Sequence, residues 1–351
     1  MKKIGVLRLG LAFGGCFLGA GYVSGQEMWQ FFGQYGVAGY LGIVLAVALL
    51  CVIGAVTLLL TKKLGTTETD RLIIGGDHPQ LRRLVFWLEA AFLFCVCIVM
   101  TAGVGALCET VFRVPVWLGC AVFTVIVTVI SFAGFSGLLA AFSATVPILV
   151  AVTLFFGIRS AAGGAIIAPQ AAEVGARPSL LRFWPLAAIL FTCYNVFGSI
   201  AILAPLGPAV EKRGTIIRGI LVGAMILLAT AFSVLISVSA AGTQAEELPM
   251  LSMALEQSRF LGLVYAVLLL LAMFGTCLSC LVAFVRTVSD KWKNFPKFRI
   301  PFHLVCALII FVCSLFGFGD LIGVIYPFFG YCSSVFIILL MVHYFKVRKT
   351  A

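Results

Sequence analysis

Charge is what this chain has least of. Only 11% of its 351 residues are Asp, Glu, Lys or Arg, against about 25% in a typical soluble domain. With 62% hydrophobic residues, it is too apolar for a water-soluble globular enzyme and for a disordered chain. The longest polar connection is about two dozen residues, so no soluble domain fits between the apolar runs. Histidine is almost missing, at 3 residues, and no His, Cys or Asp cluster has metal-ligand or catalytic spacing. That scarcity argues against an intramembrane enzyme. The 12 cysteines lie nearly all inside apolar runs and read as small packing residues, Cys277-x-x-Cys280 included, so a disulfide scaffold is excluded as well.

What the chain does have is long hydrophobic segments, each near the roughly 20 residues that a membrane-spanning helix needs. Ten can be marked, at 7–35, 39–60, 84–108, 117–132, 137–156, 181–203, 216–238, 260–285, 302–316 and 321–345. The first follows Met1-Lys2-Lys3, and Phe13-Gly14-Gly15-Cys16 has some look of a lipoprotein cleavage box. Apolar character continues past Cys16 and Arg8 interrupts the front, so the segment is read as a span rather than a signal peptide. The net charge of +11 follows topology. With the N terminus inside, 19 of the 24 Lys and Arg fall in inner segments and 5 (Arg113, Arg159, Arg177, Arg182, Arg259) outside. This bias predicts a multi-pass plasma-membrane protein with both termini cytoplasmic and no role in nucleic-acid binding.

The segment starts repeat. Segments six to ten begin 174, 177, 176, 185 and 184 residues after segments one to five. Phe132-Ala-Gly-Phe135 before the fifth is similar to Phe316-Gly-Phe318-Gly319 before the tenth. Because five is odd, the second unit enters from the opposite side, giving a 5+5 inverted repeat with halves 1–160 and 161–351. The outer connection 239–259 matches the inner connection 61–83 in length, and its stretch 249–255 is placed to form a short surface helix.

In such repeats the first helix of each half is often interrupted near the bilayer centre, where freed backbone groups meet ligands. Segment one carries Gly14, Gly15, Gly19, Gly21 and Gly25 within twelve residues, followed by Gln26 and Glu27. Segment six carries Thr192, Tyr194 and Asn195, with Gly198 placed to ease a break. Glu27 and Glu89 are the intramembrane acids. Glu27, about 9 Å beyond Gly21 at helical rise, suits proton binding. Glu89 is one turn inside its helix, within reach of water or of Arg82 and Arg83. Asp320 reads as a helix cap. Thr276 and Ser279 could offer oxygens to Na⁺ or bond back to their own helix. His303 and His343 are too isolated for a metal site.

The Gly19-x-Gly21 centre, the polar segment six and the 5+5 layout resemble the amino acid–polyamine–organocation transporter superfamily with the LeuT fold. More narrowly, Gly19-Ala20-Gly21-Tyr22-Val23-Ser24-Gly25-Gln26-Glu27 with Tyr194-Asn195 is similar to the YkvI-like family of bacterial membrane proteins. The resemblance implies an all-α bundle of ten transmembrane helices, with helices one and six discontinuous. It implies substrate contacts from Gly19, Ala20, Gly21, Ser24, Phe191, Thr192, Tyr194 and Asn195. It implies cation coupling through the carbonyls of Gly15 and Leu18 with Thr276 and Ser279 for Na⁺, or through Glu27 for H⁺. Cys280 stands where a second hydroxyl is expected, which weakens the sodium set. The connection 239–259 would be the extracellular lid.

The expected function is secondary active transport of a small amino acid, amine or related organic solute by alternating access. Its partners are the lipid bilayer and that solute, and its cofactors are none beyond the coupling ion. The alternative is a non-transporting sensor of the same fold that binds a nutrient, like the spore germinant receptors that resemble this superfamily.

Overall fold

The computed structural model describes residues 4–66, 68–76, 78–133, 145–163, 179–291 and 295–349. Among these, every regular element is helical. In hydrocarbon a helix satisfies its own backbone groups, so long apolar runs have little alternative. In order the elements are α1 (Val6–Phe17), α2 (Ala20–Ser24), α3 (Gln26–Phe31), α4 (Val37–Leu64), α5 (Thr69–Ile73), α6 (Pro79–Phe112), α7 (Val116–Ala133) and α8 (Thr145–Ala162). There follow α9 (Trp184–Leu203), α10 (Leu206–Ala209), α11 (Arg213–Ala241), α12 (Pro249–Gln257), α13 (Arg259–Lys291), α14 (Phe295–Ser314) and α15 (Phe318–Lys349). Among the described residues, six helices are long and apolar enough to cross a membrane, and four more apolar helices are shorter. Segment five is described only from Thr145 onward. Lys2, Lys3, Arg177, Lys293 and residues 134–135 of the repeated motif lie outside the described residues.

One end of the bundle gathers the basic connections. The Ile4 amide donates to the Ala209 carbonyl, joining the start of α1 to α10. Lys62 and Lys63, at the end of α4, donate to the carbonyls of Glu211 and Val347. His343 Nδ1 lies 2.8 Å from the Leu72 carbonyl. The far end carries the starts of α9, α13 and α15. There α12 forms the helix expected in 239–259, laying Met250, Leu251 and Met253 into the core.

The core is organised by crossings consistent with the repeat: α1 packs most extensively on α11, and α4 on α9. Those are segments one with seven and six with two, which an inverted repeat maps onto each other. The first crossing rests on Gly10 and Gly14 facing Gly219 and Gly223. A Cβ on Gly223 would sit 2.8 Å from the Gly10 carbonyl oxygen, and one on Gly219 2.7 Å from Leu9. Small residues four apart on both helices let the backbones touch. Some of the segment-one glycines therefore serve contact, and the others a break.

The expectation for segment six needs correcting. α9 runs unbroken from Trp184 to Leu203, and the interruption falls at Ala204–Pro205, toward the basic end. Its polar residues do not require a break. The Thr192 hydroxyl donates to Ala188 O at 2.8 Å, and the Asn195 amide to Phe191 O at 3.0 Å, both within the helix. Gly198 is used for packing, since a Cβ there would lie 2.5 Å from the Phe92 ring.

Candidate functional site

Segment one is interrupted twice. α1 ends at Phe17, and the Gly19 amide donates to Phe17 O rather than Gly15 O, taking the Gly15 carbonyl out of the helical ladder. Gly19 is extended, with φ −80° and ψ 172°, before the single turn of α2. The second interruption is Gly25 at φ +93°, a conformation that costs a side-chain-bearing residue about 1 kcal/mol or more. Neighbours satisfy the exposed groups. The Ser24 hydroxyl donates to Gly21 O at 2.8 Å and Tyr265 to Val23 O at 2.6 Å, while the Tyr22 hydroxyl ties α2 to Leu227 O of α11 at 2.8 Å. The Ser199 hydroxyl of α9 donates to Cys16 O at 3.0 Å.

The turn at Gly25 also relocates Glu27. A continuous helix would carry it about 9 Å beyond Gly21. Instead the chain folds back, and Glu27 Oε2 lies 2.7 Å from where a Cβ on Gly21 would be. The carboxyl thus occupies the space that a larger residue at 21 would fill. The Tyr194 hydroxyl donates to Glu27 Oε1, and Asn195 lines the same cavity as Glu27. Glu27 is 5% exposed.

These groups line a cavity of about 330 Å³ at the centre of the bundle, in the size range of small-ligand sites. The break, Gly15 through Gly21, forms one wall. α9 contributes Tyr194, Asn195, Gly198 and Ser199, and α13 contributes Gly275, Thr276, Ser279 and Cys280. Phe92 and Tyr326 complete it from α6 and α15. Among the described residues, Glu27 is the one charged residue in the lining, and no Lys or Arg reaches it.

The two directions out of the cavity differ. Toward the far end, Phe31, Phe32, Phe191 and Tyr22 are nearly inaccessible, and Phe191 has the other three rings 5.0–6.2 Å from its centroid. Toward the basic end, Gly15 is exposed, Cys16 half-buried and Ile202 58% exposed. The cavity therefore opens toward the basic end and is sealed by aromatics on the other side.

Of the expected residues, Gly15, Leu18, Gly19, Ala20, Gly21, Glu27, Tyr194, Asn195, Thr276 and Ser279 line this one cavity. Ser24, Phe191 and Thr192 do not: Ser24 stabilises the break, Phe191 belongs to the seal, and Thr192 bonds within α9 and faces Ala46 O at 3.3 Å. The Ser279 hydroxyl donates to Gly275 O at 2.6 Å, inside its own helix. Glu89 lies outside the cavity. Its candidate partner Arg82 donates to Gly76 O at 2.7 Å instead. The cap on α15 comes from Glu247 of the 239–259 connection, whose Oε2 accepts the Gly319 amide at 2.6 Å, with Asp320 in the first turn beside it. His303 stacks on Phe132, and no metal-holding cluster occurs among the described residues.

Sequence reasoning missed Tyr326, Phe92 and Ser199. Tyr326 stacks on Tyr194 with centroids 4.8 Å apart. Its signal is Pro327, which sits inside α15 and removes a helical hydrogen bond next to the tyrosine. Ser199 is one turn from Asn195, a spacing that puts both on one helix face. Phe92 has no signal beyond its apolar surroundings.

No family profile matches the chain. It is similar to two proteins of Bacillus subtilis (strain 168). It is 25% identical to the uncharacterized protein YyaD, across 94% of both chains, and 22% identical to the uncharacterized membrane protein YkvI, across 94% of this chain and 93% of that one. The likeness to YkvI read from the motifs holds over nearly the whole length. Among solved structures, the inward-facing conformation of Mhp1 covers 99% of this chain and 78% of its own, at TM-score 0.66 and 14% identity. Mhp1 in a closed conformation with bromovinylhydantoin, described as a nucleobase-cation-symport-1 family transporter, gives 0.58 over 93% and 75% at 14% identity. MhsT in complex with L-phenylalanine gives 0.60 over 98% and 89% at 16% identity. The fold is therefore the all-helical LeuT-like fold, and the protein is a multi-pass membrane protein.

Proposed function

We propose that the protein is a secondary active transporter that moves a small amino acid, amine or related organic solute by alternating access, coupled to a cation. The observation carrying this reading is the interrupted first segment, whose freed backbone and returning Glu27 line a central cavity together with Tyr194. Structures of the same fold include a transporter by name and a complex with an amino acid, which supports the solute class. The basic end is cytoplasmic under the positive-inside rule, so the cavity described here faces inward. In the reverse state, the ring cluster of Phe31, Phe32 and Phe191 would separate while the wall at Gly15 and Ser199 closed.

Glu27 is the coupling group in this reading. A carboxyl at the centre of a membrane protein is expensive to keep and marks an ion or substrate pathway. It takes a proton from one side and releases it to the other as the walls exchange. Gly15, Leu18, Thr276 and Ser279 line the same cavity, so Na⁺ binding between the break and α13 is the second reading of the coupling site. Uptake of radiolabelled amino acids and amines into proteoliposomes, under an imposed pH gradient or Na⁺ gradient, decides between them. Saturable binding without gradient-driven uptake would instead make the protein a receptor.

A further inference from the structure

A second cavity lies at the basic end, apart from the central site. It measures about 190 Å³ and is enclosed by Leu59, Leu60 and Lys63 of α4, Arg213 of α11, and Tyr344, Val347 and Arg348 of α15. Three helix ends bring three cations to one hollow, and among the described residues no carboxylate lines it. Lys63 spends one of its three donors on the Val347 carbonyl at 2.5 Å, which holds α4 against α15 and leaves two donors for a ligand. Arg213 and Arg348 present planar forks of the kind that match phosphate oxygens in pairs. Leu59, Leu60 and Val347 make the rest of the lining apolar.

The surface leading away from this hollow is also informative. From Arg213, the positions one, two and three turns along α11 are Ile217, Leu221 and Met225. They are 48%, 57% and 67% exposed and share one helix face. A cationic hollow at the end of the membrane-spanning helices therefore continues into an apolar stripe that runs into the membrane. That is the shape of a lipid: a phosphate headgroup with an acyl chain attached. A free phosphate would have no use for the stripe.

We propose that this hollow is a binding site for an anionic phospholipid, with the headgroup phosphate held by Lys63, Arg213 and Arg348 and an acyl chain along Ile217, Leu221 and Met225. A lipid seated there would pin α11 to α4 and α15 at the basic end.

The test compares melting temperatures of the full protein in nanodiscs of phosphatidylcholine alone and of equal parts phosphatidylcholine and phosphatidylglycerol. The wild type is expected to melt several degrees higher with phosphatidylglycerol, and the variant Lys63→Gln/Arg213→Gln/Arg348→Gln to lose most of that rise. The control variant Arg83→Gln/Arg218→Gln/Arg286→Gln removes the same charge from the same end and is expected to keep it. If the control loses the rise equally, the effect is diffuse surface attraction and the site is refuted. Native mass spectrometry of the wild type needs no variant: phosphatidylglycerol should stay bound several-fold more often than phosphatidylcholine, and equal retention overturns the proposal. If inorganic phosphate added to delipidated protein reproduces the stabilisation, the ligand is a soluble phosphate and the lipid assignment falls.

Discussion

Placing a methyl group at Gly21 probes the return of Glu27 into the cavity. In Gly21→Ala the new Cβ meets Glu27 Oε2 at 2.7 Å, while the other neighbours, Cβ and Cδ of Glu27, stand at an ordinary 3.8 Å. The carboxyl has to retreat by roughly 0.7 Å to restore a normal contact, and retreat pulls it from the Tyr194 hydroxyl. A hydrogen bond to a charged group contributes about 1.5–3 kcal/mol. Alanine in place of glycine within a helical turn returns about 0.5–1 kcal/mol. The net expectation is a destabilisation of about 1–2 kcal/mol, or a few degrees in melting temperature. In a Glu27→Ala background there is nothing to displace, so the same substitution should stabilise by about 0.5–1 kcal/mol. The assay is thermal unfolding of the four proteins in detergent, as a double-mutant cycle. Distant, independent sites add within about 0.5 kcal/mol, so an equal effect of Gly21→Ala in both backgrounds would refute the placement of Glu27 against Gly21.

Other regions give further tests. Gly25→Ala forces φ +93° on alanine and crowds Met250 and Val238 at 3.1 and 3.2 Å; it should cost about 1–2 kcal/mol in melting experiments, whereas an unchanged melting temperature would count against the turn. Gly223→Val inserts bulk where even a Cβ lies 2.8 Å from Gly10 O, so α1 and α11 must separate, and a loss of about 3 kcal/mol or failure to accumulate in the membrane is expected. In a protein whose single remaining thiol is Cys16, a membrane-impermeant maleimide should label only from the cytoplasmic side, since Cys16 lines the cavity's basic-end wall; labelling only from outside would reverse the orientation. Glu247→Ala removes the acceptor for the Gly319 amide; hydrogen exchange at the start of α15 should rise, and an unchanged rate would show that the contact does not hold that end.

The all-helical membrane bundle was legible because hydrocarbon imposes one solution on a long apolar run. The glycines were harder. Gly10, Gly14, Gly19 and Gly25 look alike in sequence, yet the first two hold α1 against α11, Gly19 ends the helical ladder and Gly25 turns the chain left-handed. Only the partner across the interface distinguishes those uses. The position of Glu27 follows from that turn, so linear helical counting sent it 9 Å away. The continuity of α9 is not legible in its sequence, because Asn195 and Thr192, which look like donors to a ligand, turn their hydrogen bonds back onto their own helix. Tyr326 and Phe92 are ordinary apolar-segment residues until the fold brings them beside Tyr194. Glu247 in place of Asp320 as the cap of α15 is a contact across 72 residues, beyond the reach of any local rule.

The central claim is that Glu27 couples a cation to solute movement through the cavity at the broken helix. It is tested most directly by comparing solute exchange with gradient-driven accumulation in proteoliposomes carrying the wild type or Glu27→Gln, which keeps the shape and removes the titratable proton. The account predicts that Glu27→Gln still exchanges labelled for unlabelled solute across the membrane but no longer accumulates it when a pH gradient is imposed. Accumulation by Glu27→Gln at the wild-type level would contradict it.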